Sequence, residues 1–540
     1  MTDPTPPDAA GVFYVTTPIY YVNDKPHLGH VYTTMVADVV ARYHRLRGDD
    51  TFFLTGVDEH AAKVADKAAE HGKTPQEWAD FNAAQFRQTF EKLEMTNDDF
   101  VRTSSDHHKQ KVTEYVAALI ASDDIYPGTY EGWYDAGQEE YVPDNKAQAQ
   151  DYKSEVNGKP LVKKSEKNYF FRLSKYVPAL LQHFEQNKEF VQPNARRNEI
   201  VNRIKEAQDV PISRTGSGGW GIPVPGDEDQ TIYVWIDALF NYLTYVDRDD
   251  RRHYWQSGAT HFIAKDILWF HAAIWPAMLM ALQKCEGYCW VNLPGQVYAH
   301  SYWVSDSGQK MSKSLGNFLD PAAIDNYVEE FGLDALRYFL ATRGPLGTTD
   351  SAFSPDLFIE TYNADLANTF GNSVSRVTNM IGKYFDGKTP SRKDATGVIS
   401  PDPSDGLDQR CAQMAELILT AENLGLRHDP GLGVVKDVDG YIEATSPFKL
   451  AKDPKKLPEV GTILCNCTEA LRIASVLLWP FIPDACEKFW SRIGCDYAEQ
   501  MKANGGKGKL DEWVKWGQSE PGTPIEKGEA LFPRYQVEKK

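Results

Sequence analysis

The amino-terminal sixty residues read as strand, helix and strand, and this unit constrains the fold more than any other part of the chain. Residues 12–17 (VFYVTT) form an apolar, buried-strand pattern, and a turn rich in Pro, Asn and Asp follows at 18–26. Apolar residues recur at steps of three and four over 28–46 and Gly48 follows, which predicts a helix. Residues 51–56 predict a second strand. A βαβ unit of this length implies a parallel sheet.

The rest of the chain changes pattern twice. Residues 122–217 are polar with scattered aromatic patches, which predicts a domain inserted into the sheet domain. The βα rhythm resumes at Thr231, and 297–304 reads as another strand before a polar loop. From about residue 355 the pattern is helical over long stretches, which predicts a bundle. The predicted fold class is therefore α/β, a parallel-sheet domain split by an insertion and followed by an α-helical bundle.

Composition excludes several classes of protein. The chain has 540 residues, 58 basic and 76 acidic, and a net charge of −18, so a global basic field for nucleic acid is excluded while a local basic groove is not. The longest apolar run, 267–282, is shorter than the ~20 residues that span a bilayer. We therefore expect no membrane partner.

The seven cysteines lie in the second half of the chain, and none has C-x-x-C spacing. This pattern favours reduced thiols in a cytosol-like compartment over a disulfide scaffold. Residues 1–11 have no apolar core typical of a secretory signal. We expect a disordered tail at 1–11 and a cytoplasmic protein.

The first chemical motif is His27-Leu28-Gly29-His30, between the first strand and the first helix. A helix start offers unpaired N–H groups and partial positive charge to phosphate oxygens. Gly29 lets a ligand approach the backbone, and the two imidazoles can donate hydrogen bonds to phosphoryl groups. The alternative is a pair of solvated histidines at a helix start.

The second motif is the segment 310–317, KMSKSLGN, in which Lys310 and Lys313 are three residues apart. A polar loop with two lysines can close on phosphates, and preorganised charges of this kind contribute ~3–4 kcal/mol each to a reaction that releases pyrophosphate. By composition alone, a solvated basic loop is the simpler interpretation.

Both motifs, in this order and on the two halves of a split domain, resemble the class I aminoacyl-tRNA synthetases. Further segments resemble the methionyl-tRNA synthetase family over roughly residues 12–480, namely TTPIYYVNDKPHLGHVYTTMVADVVARYHRLRG, FLTGVDEHAAKV, YVWIDALFNYL, HFIAKDILWFHAAIWPAML and NADLANTFGNSVSR. The resemblance implies a Rossmann-like catalytic domain in two halves (12–121 and 218–295), an inserted connective-peptide domain (122–217), a loop and stem-contact region (296–355) and a helical anticodon-binding domain (356–540).

The resemblance also implies roles for single residues. On the ATP side these are His27, Gly29, His30, Lys265, Asp266, Lys310 and Lys313. Asp58 matches the carboxylate that pairs with the substrate ammonium, and the methionine side chain would lie among Ile19, Tyr21, Trp235, Leu239, Tyr242, Ile267 and His271. Leu239 stands where many members of the family have proline. An aromatic pocket suits a thioether, because sulfur–aromatic contacts contribute ~0.3–1.5 kcal/mol each.

The inserted domain departs from the family in its zinc ligands. Many members of the family bind zinc there with paired cysteines. Here the matching position reads Trp133-Tyr134-Asp135-Ala136-Gly137-Gln138, and the insertion contains no cysteine. Asp135 and Gln138 are poor substitutes for a thiolate pair, so we predict no zinc. The insertion would then be held by packing.

The helical domain is expected to read the anticodon of tRNA(Met). Asn372 and Arg376, four residues apart on one helix face, match the family's base-reading pair. Phe448 is a candidate for stacking on a base, although it could equally be a core residue. Lysines and arginines between 376 and 393 and between 449 and 456 would supply local positive charge.

The implied reaction joins L-methionine to ATP, with Mg²⁺ on the leaving pyrophosphate, and then transfers methionine to tRNA. We expect a monomer. Three alternatives remain open: a class I synthetase for another amino acid such as leucine or cysteine, a small-molecule adenylyltransferase, and an inactive tRNA-binding protein.

Overall fold

The computed structural model describes residues 11–135, 140–142, 144–155, 158–215, 219–305, 319–391, 406–420 and 431–536. The strands are β1 Val12–Tyr21, β2 Asp50–Asp58, β3 Asp99–Arg102, β4 Ile125–Asp135, β5 Glu140–Val142, β6 Val162–Phe171, β7 Val191–Gln192, β8 Val210–Pro211, β9 Ser213–Thr215, β10 Pro223–Val224, β11 Asp227–Ile232, β12 Ala259–Ala264, β13 Gln296–His300, β14 Trp303–Val304 and β15 Ser351–Ala352.

The helices of the sheet domain and insertion are α1 Leu28–Arg47, α2 Ala62–Glu70, α3 Pro75–Lys92, α4 Asp106–Ala121, α5 Asp144–Ala149, α6 Leu173–Gln186, α7 Asn194–Ile204, α8 Val234–Leu239, α9 Asn241–Thr244, α10 Arg252–Gln256 and α11 Trp275–Leu282. Those that follow are α12 Pro321–Phe331, α13 Leu333–Arg343, α14 Pro355–Thr361, α15 Asn372–Tyr384, α16 Leu407–Thr420, α17 Leu432–Thr445, α18 Pro447–Leu450, α19 Leu457–Leu478, α20 Pro483–Arg492, α21 Tyr497–Ala503 and α22 Leu510–Trp513. Two π-helical turns, Phe270–Ile274 and Tyr362–Gly371, precede α11 and α15.

The centre of the fold is a six-stranded sheet in the order β3-β2-β1-β12-β13-β7, and every neighbouring pair is parallel. Strand β2 is buried along almost its whole length, because helices cover both faces of a parallel sheet. Strands β2 and β3 follow β1 toward one edge of the sheet, and β12, β13 and β7 follow it toward the other edge. The sheet confirms the predicted α/β class.

Helix α1 begins and ends where its sequence signals predict. His27 caps its first turn, and Gly48 ends it with a left-handed φ of 94°. Basic side chains occupy the last turn, where they favour the negative end of the helix dipole. The first βαβ unit of the sequence is therefore present as β1, α1 and β2.

The inserted stretch contains an antiparallel sheet in the order β5-β4-β6-β8. Its chain nevertheless returns to the central sheet earlier than the predicted boundary of 217, because Val191 and Gln192 of β7 pair in parallel with β13. Trp133 packs on a small apolar cluster of Val142, Ala147 and Leu161, so packing holds the described part of this subdomain.

The carboxyl-terminal part is helical, as predicted. One apolar cluster continues from α1 through α13 into α19, so the sheet domain and the bundle share a core. In the described part of the chain, Pro454–Leu478 is the one helix long and apolar enough to cross a membrane, and its most apolar 18-residue stretch is buried in the bundle.

Candidate active site

Four central strands end at the wall of one cavity of about 600 Å³. The last residues of β1, β2, β12 and β13, which are Tyr21, Asp58, Ala264 and His300, all line it. Ligands of open parallel sheets bind outside the carboxyl ends of the strands. The topology therefore places this cavity where a substrate site is expected.

The cavity wall gathers most of the predicted site residues from distant parts of the chain. Those predicted for ATP are His27, Gly29, His30 and Asp266. Those predicted for methionine are Ile19, Tyr21, Asp58, Trp235, Leu239, Tyr242, Ile267 and His271.

Both histidines of the first motif cap the start of α1. Nδ1 of His27 accepts the N–H of Gly29 at 3.0 Å, and Nδ1 of His30 accepts the N–H of His27 at 3.3 Å. The rings are stacked, with centroids 3.6 Å apart. Because Nδ1 is the acceptor in each ring, the neutral form carries its proton on Nε2. Each imidazole is therefore an N–H donor suited to a phosphoryl oxygen.

Gly29 makes room for this arrangement. A Cβ atom at this position would lie 2.9 Å from Cε1 of His27, closer than side chains approach one another. The glycine thus admits the capping imidazole itself, a packing reason that adds to the predicted access for a ligand.

The methionine side of the cavity is aromatic and held by hydrogen bonds. Trp235 contacts Tyr21 edge to face at 6.0 Å. The hydroxyl of Tyr242 lies 2.7 Å from Nε2 of His271, and Nδ1 of His271 lies 3.0 Å from the carbonyl oxygen of Ile267. Burial lowers the pKa of His271 to about 4, so the ring is neutral and Nε2 accepts from Tyr242. This fixes the orientation of both rings in the wall.

The carboxylate of Asp58, in the cavity wall, has one oxygen atom without a hydrogen-bond partner among the described residues. Its side chain is buried, and among the described residues nothing bonds its Oδ1 atom. Burial raises the pKa of Asp58 well above its usual value, the nearby charge of Asp237 raises it further, and the backbone N–H of His60 opposes both. A buried carboxylate in this state is complementary to an incoming ammonium group.

Lys265 and Asp266 point in different directions. The Lys265 ammonium pairs with Asp350 at 2.6 Å and lies over the ring of Tyr302, and Lys265 is absent from the cavity wall. Asp266 lines the cavity and bonds the hydroxyl of Tyr302. The structure therefore brings only Asp266 of this pair to the candidate site.

Lys310 and Lys313 lie outside the described residues. The residues on either side of their segment are at the cavity: Ser301 on one side and Leu319 on the other line it. The carbonyl oxygen of Leu319 accepts the N–H of Leu28 at 3.1 Å. Asp320 pairs with Lys25 at 2.7 Å. The described residue Leu319, which follows the second motif in the chain, therefore lies beside the first motif.

His300 and Thr33 are among the residues of the wall that were not predicted from the sequence. Nε2 of His300 lies 2.8 Å from Oγ1 of Thr33, and Nδ1 of the same ring lies 2.7 Å from the carbonyl oxygen of Ser301. Burial lowers the pKa of His300 to about 4. The available signal was a histidine at the carboxyl end of a predicted strand, on the same edge as Asp58.

The predicted anticodon residues lie in the bundle, far from this cavity in sequence. Asn372 begins α15 and is exposed, whereas the Arg376 guanidinium pairs with Asp439 at 3.0 Å. Phe448 is 44% exposed, with the ammonium of Lys449 5.8 Å from its ring centre. An exposed aromatic ring beside a cation is a surface on which a nucleic-acid base can stack.

Comparison with known proteins agrees with this geometry. The family model described as class I (M) tRNA synthetases matches residues 13–150 and 145–378. The sheet, its histidine-capped helix and the cavity between them are therefore those of a class I aminoacyl-tRNA synthetase.

The similar sequences and structures show which family within this class the chain belongs to. Methionine--tRNA ligase of Streptomyces coelicolor is 40% identical over 547 residues, and the match covers 98% of each chain. Methionine--tRNA ligase of Bacillus subtilis is 38% identical over 555 residues, and the match covers 98% of this chain and 79% of the relative. A Mycobacterium tuberculosis methionyl-tRNA synthetase solved in complex with methionyl-adenylate is 32% identical, with a TM-score of 0.83 over 97% of this chain and 100% of that one. The chain belongs to the methionyl-tRNA synthetase family.

Proposed function

We propose that this chain activates L-methionine with ATP to methionyl-adenylate and pyrophosphate, and then transfers the methionyl group to the terminal adenosine of tRNA(Met). The observation that carries the proposal is one cavity that brings together an aromatic wall, two histidine donors and a buried carboxylate, one oxygen of which has no partner among the described residues. These groups match an α-ammonium, a thioether side chain and a triphosphate.

In the first step, Asp58 holds the substrate ammonium and the aromatic wall of Trp235 and Tyr242 takes the side chain. The methionine carboxylate oxygen then attacks the α-phosphorus, and the bond from that phosphorus to the bridging oxygen breaks as pyrophosphate leaves. His27 and His30 donate hydrogen bonds to phosphoryl oxygens. Positioning and electrostatics account for the rate, because the protein supplies no covalent nucleophile.

Charge on the leaving pyrophosphate needs neutralising. We assign this role to Lys310 and Lys313 together with Mg²⁺, which supplies positive charge to the phosphates. Among the described residues there is no group of three or more metal-ligating side chains.

In the second step, a hydroxyl of the terminal adenosine attacks the activated carbonyl and AMP leaves. The bundle would present Asn372, Arg376 and Phe448 to the anticodon. The ion pair to Asp439 supports this role, because it orients the Arg376 guanidinium before the RNA arrives.

We also propose that the enzyme is a cytoplasmic monomer. All seven cysteines are free thiols, and four of them are buried, which is consistent with a reducing compartment. Light scattering on the purified chain tests the oligomeric state, and fractionation of the source cells tests the location.

The decisive experiment is ATP–pyrophosphate exchange with the purified chain. We expect exchange with methionine, much weaker exchange with leucine or cysteine, and charging of tRNA(Met) when it is added. Lys313→Ala should suppress exchange while leaving methionine binding nearly unchanged. Exchange driven by leucine or cysteine and not by methionine would refute the proposed substrate.

A further inference from the structure

Asp237 is the centre of a buried network of hydrogen bonds. The network lies behind Asp58, the residue whose carboxylate is proposed to bind the substrate ammonium. The Oδ2 atom of Asp237 lies 2.7 Å from Nδ1 of His60, and its Oδ1 atom lies 2.8 Å from Nε2 of His108. The other nitrogen of His108 lies 2.9 Å from the hydroxyl of Thr244. The Asp237 side chain is only 1% exposed, so both carboxylate oxygens are bonded away from water.

This group joins three elements of the site. Asp237 lies on α8, the short helix that also brings Trp235 and Leu239 to the cavity wall. His60 follows Asp58 by two residues, and its backbone N–H donates to the Asp58 carboxylate. His108 lies on α4, which packs outside the cavity. The Asp237 carboxylate therefore connects helix α8 of the side-chain wall to His60 in the loop that follows Asp58.

We propose that Asp237 is a positioning residue for methionine, which holds Asp58 and the α8 wall in register and adds a second negative charge to the ammonium subsite. This inference rests on the proposed function, since it concerns the same substrate. Asp237 itself is absent from the cavity wall and acts through Asp58 and α8.

Among the charged groups near Asp58, Asp237 has the largest effect on its pKa. The charged and titratable groups facing it are Asp237 on α8, Glu59 and His60 after β2, His108 on α4 and Arg102 on β3. Glu59 is neutralised, because its carboxylate pairs with Arg102 at 2.5 Å and accepts the N–H of Ser104 at 3.0 Å. An ammonium at Asp58 therefore also lies in the field of the Asp237 carboxylate, although Asp237 does not line the cavity.

The test is Asp237→Asn in the full-length enzyme. Asparagine keeps the size of the side chain, removes the charge and cannot accept from both histidines. We expect the methionine KM in exchange to rise on the order of tenfold or more, with kcat at saturating methionine and the KM for ATP little changed. We also expect the acid limb of kcat/KM for methionine to move to lower pH, because Asp58 ionises more readily without the neighbouring charge.

The matched control is Asp247→Asn. Asp247 is also a buried aspartate absent from the cavity wall, but its partners are Lys111 of α4 at 2.9 Å and Arg252 of α10 at 2.7 Å rather than the loop after Asp58. This variant should lower the melting temperature and leave the methionine KM and the pH profile in place. If it reproduces both effects of Asp237→Asn, or if Asp237→Asn has the KM and profile of the parent, the inference is wrong.

Two further variants keep the outcomes distinct. Asp58→Asn tests the proposed function itself: if it keeps the parent KM for methionine, the ammonium assignment fails and not merely the role of Asp237. Where Asp237→Asn yields no folded protein, His108→Gln preserves the Asp237 charge and its bond to His60. It should raise the methionine KM without moving the acid limb, and an unchanged KM would overturn the inference.

Discussion

Replacing Asp58 by asparagine should affect binding and stability in opposite directions. The side chain is 2% exposed, and its Oδ1 atom has no partner among the described residues. In the free enzyme the buried carboxylate is compensated only by the backbone N–H of His60 among the described residues, whereas in the complex it faces the substrate ammonium. Asparagine has nearly the same shape and no charge, so the substitution separates these two states without opening a cavity.

The size of each effect follows from the burial. Removing one member of a buried ion pair costs ~3–5 kcal/mol, which corresponds to a rise of roughly two to four decades in the methionine KM. Relief of the desolvated carboxylate should raise the unfolding free energy of the free enzyme by about 1–3 kcal/mol. Because the folded pKa of Asp58 is raised, its ionisation costs stability as pH rises through that pKa. The gain in the variant should therefore grow with pH and disappear in acid.

Two measurements on the same protein check this. Exchange kinetics give the methionine KM, and thermal melting with and without methionine gives stability and ligand stabilisation. Asp24→Asn is the control, since Asp24 lines the cavity but is exposed. A variant at Asp58 that melts lower than the parent at pH 8, or that keeps a methionine-dependent shift of parental size, would refute the assignment.

Three other predictions follow from described contacts. Gly29→Ala should lower kcat for exchange with little change in the methionine KM, because its Cβ displaces the ring of His27; equal loss of both parameters would contradict this. The pKa values of His271 and His300 are lowered to about 4 by burial, so stability should fall as pH drops from about 6.5 toward 4, by about 3 kcal/mol per histidine, in acid unfolding monitored by tryptophan fluorescence. Phe448→Ala should weaken tRNA(Met) binding by ~1–3 kcal/mol in a filter assay while exchange stays at the parent level.

Local signals allowed much of the site to be predicted. The histidine cap of α1, its glycine end and the flanking strands depend on residues within a few positions of one another. Asp58 and Tyr21 were assigned to the site by the family resemblance, and the structure shows that both end parallel strands at one edge of the sheet. Neighbouring residues decide such features, so they can be read along the chain. The assignment of Phe448 to the anticodon remains a prediction.

Tertiary structure decided the rest. Periodicity alone did not predict that β7 would leave the inserted stretch to join the central sheet. The direction of Lys265 depends on Asp350, which is 85 residues away. The partners of Asp237 are 177 and 129 residues away, and the reason that the carboxylate is buried lies in their packing. The sequence by itself thus determined the α/β fold class and the position of helix α1 directly after His27. Only packing between distant segments decided which charges remain unpaired at the cavity, because desolvation and pairing are properties of the assembled interior.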